Sequence, residues 1–120
     1  MTRSHRKERL NESIKEILSE LLLTGIKDPR IGLVTITSVK IAPDLLTAKV
    51  YFSVMGSSDE KAETRKGLES AKSFMRKTVF RELKLRQVPE FKFVYDDSLD
   101  KAMAIEEALK EIKDQDKGKA

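Results

Sequence analysis

Apolar residues recur every three or four positions between Leu10 and Leu22, and every second position between Ala48 and Val54. The first rhythm is that of a helix with one buried face, and the second that of a strand with one buried face. Leu10, Ile14, Ile17, Leu18, Leu21 and Leu22 form one stripe, with Glu8, Glu12, Lys15, Glu16 and Glu20 off it, so a helix is predicted over 9–24. Gly25 follows and suits a left-handed C-cap; Ser4 is a candidate N-cap. Arg3, Arg6, Lys7 and Arg9 read as a small, solvated, mobile basic arm.

Residues 26–32 (IKDPRIG) form a connection, because Pro29 lacks an N–H and disfavours helix at Asp28. Residues 33–41, rich in Val, Ile and Thr, read as a strand with imperfect alternation. Pro43-Asp44 is a turn. In the strand over 47–55, Ala48, Val50, Phe52 and Val54 take one face and Thr47, Lys49, Tyr51 and Ser53 the other. These two strands are expected to pair as an antiparallel hairpin. Ser58 or Asp59 caps the next helix. Helical patterns cover 59–70, with Ala62 and Leu68 inward, and 74–83, with Met75, Val79 and Leu83 inward and Phe74 and Thr78 flanking them. They meet around Ala71-Lys72-Ser73, as two helices in tandem or one kinked helix. A third strand follows, with Phe91, Phe93 and Tyr95 on its inner face. Asp96-Asp97-Ser98 is a helix-start cluster, and a last helix over 99–112 carries Met103, Ile105, Ala108, Leu109 and Ile112.

The order helix, strand, strand, helix, helix, strand, helix gives a single α+β domain over 1–112, a three-stranded sheet packed against helices. Residues 113–120 form a polar, disordered tail. If the second and third strands are parallel neighbours, their helical crossover is right-handed. No internal repeat is present.

Charge changes the picture. The chain has 120 residues and a net charge of +4. Between residues 65 and 86, eight bases (Arg65, Lys66, Lys72, Arg76, Lys77, Arg81, Lys84, Arg86) face two acids (Glu69, Glu82), so this stretch alone carries 8 − 2 = +6. On a helix, Lys77, Arg81 and Lys84 fall together opposite Met75, Val79 and Leu83. A concentrated positive stripe points to a polyanion, and the planar fork of arginine suits phosphate oxygens.

Catalytic chemistry is poorly supplied. The chain has no cysteine and one histidine, which excludes disulfides, thiolate metal sites and thiol nucleophiles and fits a reducing cytoplasm. His5 lies on the polar N-terminal arm with no partner in view. There is no G-x-S-x-G, no Walker loop and no dinucleotide-binding glycine pattern. Asp96-Asp97 could form an acid/base or Mg²⁺ pair, but helix capping accounts for them better. Tyr51 either stacks a base or is ordinary strand surface. No helix-turn-helix signal accompanies the basic stripe. The N-terminus has no apolar core of the secretory type, and no apolar run approaches membrane-spanning length.

The stretches IKDPRIG (26–32), TAKVYFSV (47–54) and LKLRQVPEFKFVYDDSL (83–99), with the opening TRSHRKERLNESIKEILSELL, resemble the ribosome-binding factor A family over nearly the whole chain. That resemblance implies a type II KH-like fold in the order α-β-β-α-(kink)-α-β-α. It implies a cytoplasmic, monomeric, non-catalytic factor that binds the immature 30S subunit, contacts 16S rRNA and assists its late folding and precursor processing, especially in the cold. No cofactor, metal, membrane or small-molecule substrate is implied. The expected phosphate contacts are Arg65, Lys66, Lys72, Arg76, Lys77, Arg81, Lys84 and Arg86, with Arg30 of the DPRIG turn a further candidate. The family has an Ala-x-Gly kink where typical KH domains have Gly-x-x-Gly. Here Ala71, Lys72 and Ser73 occupy it, with serine in place of glycine, so the kink is gentler or Ser73 caps a second helix. The alternative is a protein–protein docking module using the last helix or the outer strand face.

Overall fold

A computed structural model describes residues 3–118, with side chains described from 6 to 115. The elements are α1 (Arg3–Glu20), a π-helical turn (Leu21–Gly25), β1 (Val34–Ile41), β2 (Thr47–Val54), α2 (Ser58–Leu83), β3 (Glu90–Tyr95) and α3 (Ser98–Gly118). The sheet order is β1-β2-β3, antiparallel between β1 and β2 and parallel between β2 and β3. α2 is therefore the crossover between two parallel neighbours. Among the described residues, no helix is long and apolar enough to cross a membrane.

One core forms between the sheet and the two helices covering it, in the expected α+β arrangement. Ala48, Val50, Phe52 and Val54 from β2 meet Phe91 and Phe93 from β3, Ile14 and Leu18 from α1, and Leu68, Ala71, Met75 and Val79 from α2. Each fully buried apolar side chain contributes about 1.5–3 kcal/mol. The imperfect alternation of β1 has a cause. Ile36 pairs with Phe52 while Ser38 pairs with Tyr51, so Thr37 is an extra residue in a bulge. The bulge lets Ile36 and Val39, three apart, both face the core. The Thr37 hydroxyl donates to Asp96 Oδ2 at 2.6 Å, tying the bulge to the end of β3.

Several expectations change. α1 is helical from Arg3, so the basic residues 3–9 belong to the helix and form no mobile arm, and Ser4 lies inside the helix and does not cap it. The side chain of His5 lies outside the described residues. At the other end the chain widens into a π turn, with the Ile26 N–H donating to the Leu21 carbonyl at 2.8 Å. The C-cap is Ile26, with extended backbone, and Gly25 closes the π turn without a left-handed φ. α2 is one helix of 26 residues, unbroken through Ala71, Lys72 and Ser73, with no second helix to cap. Its N-cap is Ser57, one residue ahead of the expected position. Ala62 faces solvent.

The largest difference is α3. It runs to Gly118, through the stretch expected as a tail, and every residue of it whose side chain is described is exposed. It stands away from the body, which gives a radius of gyration of 18.2 Å, against about 13–14 Å for a compact chain of this length.

Candidate nucleic-acid interface

α2 starts with a side-chain N-cap: the Glu60 N–H donates to Ser57 Oγ at 3.3 Å, and the Ser57 hydroxyl donates to Glu60 Oε1 at 3.5 Å. Asp59 and Glu60 add negative charge to the first turn, where the helix dipole favours it. Its inward face is unusually small in places. A Cβ on Gly67 would lie 2.5 Å from Ile31 Cγ1, so glycine permits the 26–32 loop to sit directly on the helix.

That loop is a clasp. Arg30 Nε and Nη2 donate to the two carboxylate oxygens of Asp28 at 3.1 and 2.7 Å, and Nη2 also donates to Ser70 Oγ at 2.9 Å. The Arg30 bond holds the Asp28 carboxyl below the usual carboxylate range and raises the guanidinium in turn. Thr64 Oγ1, buried, donates to the Arg30 carbonyl at 3.4 Å.

The nine candidate cations fall into two groups. Five have intramolecular partners. Arg30 closes the clasp. Arg65 donates to the Phe93 carbonyl at 2.9 Å and lies over the Phe52 ring at 5.9 Å. Arg76 donates to the Pro89 and Val88 carbonyls at 3.2 and 2.9 Å, pinning the β3 approach to α2. Lys72 pairs with Glu69 at 2.7 Å, and its ammonium lies 5.7 Å from the Phe93 ring centre. Lys66 pairs with Glu63 at 3.2 Å. Among the described residues, the side chains of Lys77, Arg81, Lys84 and Arg86 have no ion pair or hydrogen bond, and all four are exposed.

These four cluster at the C-terminal end of α2. Lys77 and Arg81 are one turn apart, and Lys84 is the C-cap, held left-handed at φ 51° and ψ 45° with its N–H on the Phe80 carbonyl. Phe74 and Phe80, 47% and 52% exposed, lie on the same solvent side. At about 100° per residue they stand roughly 120° apart, with Lys77 and Arg81 between them. Cations for phosphate oxygens and aromatic faces for unstacked bases are the two elements of single-strand recognition. Sequence periodicity placed Phe74 beside the inward face and overlooked Phe80; both belong to this surface. Ala71 is buried against the sheet, while Ser73 is exposed and makes no side-chain hydrogen bond among the described residues.

A family model described as Ribosome-binding factor A matches residues 6–109. A ribosome-binding factor A from Citrifermentans bemidjiense is 51% identical over 113 residues, covering 94% of this chain and 95% of that protein. One from Geotalea uraniireducens is 50% identical, covering 89% and 88%. Among solved structures, the solution structure of a putative ribosome binding factor A from Thermotoga maritima is 34% identical with a TM-score of 0.70, covering 82% of this chain and 93% of that one. The crystal structure of ribosome-binding factor A from Thermus thermophilus superposes with a TM-score of 0.67 at 22% identity, covering 74% and 93%. A homology model of the Thermus protein, fitted into a map of a 30S complex, gives 0.62 at 22%, covering 77% and 97%. The architecture shared with these structures is KH-like. The chain belongs to the ribosome-binding factor A family.

Proposed function

We propose that this chain is a non-catalytic factor of ribosome maturation that docks on the immature 30S subunit and meets 16S rRNA through the C-terminal half of α2. The observation that carries the reading is the cationic row Lys77, Arg81 and Lys84, without an ion-pair or hydrogen-bond partner among the described residues and set between exposed Phe74 and Phe80. The rest of α2 is packed, capped and clasped, so the row is presented on a rigid element. Family membership supports the ribosomal partner, as does the Thermus relative fitted into a 30S complex. Arg65, Arg76 and Arg30 then act mainly by positioning α2, while Lys66 and Lys72 pair with Glu63 and Glu69 on α2 itself. Binding one rRNA conformer more tightly than its alternatives shifts the population toward it, which assists late folding and precursor processing without chemistry by the protein.

The test is a salt series of binding to purified immature 30S subunits. Lys77→Ala, Arg81→Ala and Lys84→Ala together should weaken binding about tenfold or more and reduce the slope of log K against log salt by about 2–3. Circular dichroism should show the fold intact, because all three side chains are exposed. Wild-type affinity and slope in that variant would overturn the assignment.

A further inference from the structure

The face of the sheet turned away from α1 and α2 carries a second cationic row. Lys40 on β1 pairs across to Lys49 on β2, and Lys49 pairs across to Lys92 on β3. All three are exposed, and the neighbouring positions Val39, Val50 and Phe93 point into the core. Adjacent strands lie about 4.8 Å apart, so three ammonium stems rise from a line about 10 Å long. Like charges placed directly opposite one another weaken a sheet, so strand pairing does not account for the row.

Neutralisation is scarce on this face. Among the described residues, Lys49 and Lys92 have no ion pair or hydrogen bond, and the contact of Lys40 is with the Tyr51 ring, 5.3 Å from its centre. Glu90 lies one rung further along, opposite Thr47. Asp96, beyond the other end, is engaged by Thr37 and Ser98, and its charge also reaches Lys40, leaving Lys49 and Lys92 as the uncompensated pair. α3 departs from that far end and leaves the lysines uncovered.

We propose that Lys40, Lys49 and Lys92 form a second RNA-contacting surface, which takes the phosphodiester backbone of a strand crossing the open sheet. The protein then holds one RNA segment on α2 and another on the opposite side of the domain. Lysines are flexible point charges, and the one aromatic ring beside them, Tyr51, already has Lys40 over it. The contact is therefore to backbone and independent of base sequence. This inference rests on the reading of the chain as an rRNA binder, but not on the α2 row.

The experiment compares the wild type, Lys40→Gln/Lys49→Gln/Lys92→Gln, the α2 triple variant and the two combined. The probes are protein-free 16S rRNA transcript and immature 30S subunits, each over a salt series. The sheet variant should lose about tenfold in affinity on both probes and flatten the salt slope by about 2–3. Its unfolding midpoint should hold or rise, since the changes remove cross-strand repulsion and lose only the exposed Lys40–Tyr51 contact. The combined variant should lose more than either alone. Wild-type slopes for the sheet variant on both probes would overturn the proposal. A loss on subunits alone, with free rRNA unaffected, would overturn it too, by assigning the face to an acidic ribosomal protein. If the sheet variant loses affinity while the α2 variant does not, the α2 assignment fails and the sheet row stands. Lys49→Gln alone repeats the test should the triple variant fail to fold, with an expected slope change of about 0.7–0.9.

Discussion

α2 and α3 are both long helices with an apolar stripe, yet only one is covered. Along α2, Leu68, Met75 and Val79 are fully buried, and Thr64, Gly67, Ala71 and Thr78 complete the contact with the body. Along α3, Leu99, Met103, Ile105, Leu109 and Ile112 are each more than half exposed. Packing therefore orders α2, whereas α3 depends on length, on strong helix formers such as Ala, Glu, Lys and Leu, and on its first turn. That turn is well anchored. The Ser98 N–H donates to Asp96 Oδ1 at 2.9 Å, the Tyr95 hydroxyl donates to Asp100 at 2.7 Å, and Lys61 pairs with Asp100 at 3.1 Å. The Tyr95 hydroxyl, then Lys61, holds the Asp100 carboxyl below its usual range. A periodic stripe thus specifies which face of a helix is apolar, and only tertiary structure specifies what covers it.

The largest expected contrast is in stability. Leu68→Ala removes a fully buried side chain of α2 and should cost about 2–5 kcal/mol. Leu109→Ala, at a position 55% exposed on α3, should fall within about 0.5 kcal/mol of wild type. Urea unfolding of both variants checks this. A cost above about 1 kcal/mol for Leu109→Ala would mean that α3 is covered in solution, and the contrast would collapse.

What the sequence showed of each helix divides along the same line. The alternation of β2 and the aromatic face of β3 were legible because one face of a strand is buried and the period is two. The charge of 65–86 was legible as well. Which cations remain available was not, because Arg65 and Arg76 are engaged by the carbonyls of Phe93, Val88 and Pro89, partners distant in the chain. Phe74 and Phe80 were misplaced or missed because the width of the buried arc is a tertiary property. Gly67 lets the clasp loop sit directly on α2, and small Ala71 faces the sheet, so the flanking aromatics are left in solvent. The Ser57 cap was within reach, since Ser57 and Glu60 have capping-box spacing. The helix needs no glycine at Ser73, because no residue from 58 to 83 departs from helical backbone.

A smaller effect separates packing from recognition at the end of α2. Lys84 sits in the left-handed region at φ 51°, where a non-glycine residue is disfavoured by about 1–2 kcal/mol. Lys84→Gly relieves that strain and loses the favourable contact of a cation with the helix C-terminus, worth about 0.3–1 kcal/mol. The net outcome should be a gain of about 0.5 kcal/mol in stability, measured by thermal unfolding, together with weaker subunit binding and a salt slope lower by about 0.7–0.9. Unchanged binding would remove Lys84 from the recognition surface.

The smallest effect concerns the anchor of α3. The Asp96 carboxyl is lowered to about 2, first by the Ser98 hydroxyl, then by the Thr37 hydroxyl and the Ser98 N–H. A carboxyl lowered in the folded state stabilises above its ordinary value of 3.8 and loses that contribution as pH falls toward 2. The start of α3 should therefore be as firmly held at pH 5 as at pH 7, and should loosen between about pH 4 and pH 2. Nuclear magnetic resonance can follow the Asp96 carboxyl and the Ser98 amide through that window. Both should titrate together with a midpoint near 2, while the α2 amides around Leu68 stay unchanged, because the core contains no group that titrates with Asp96. Asp96→Asn should abolish the Ser98 transition. A carboxyl midpoint near 3.8 would show that the Asp96 contacts are not formed in solution, and the start of α3 would then be held by Asp100 with Tyr95 and Lys61 alone.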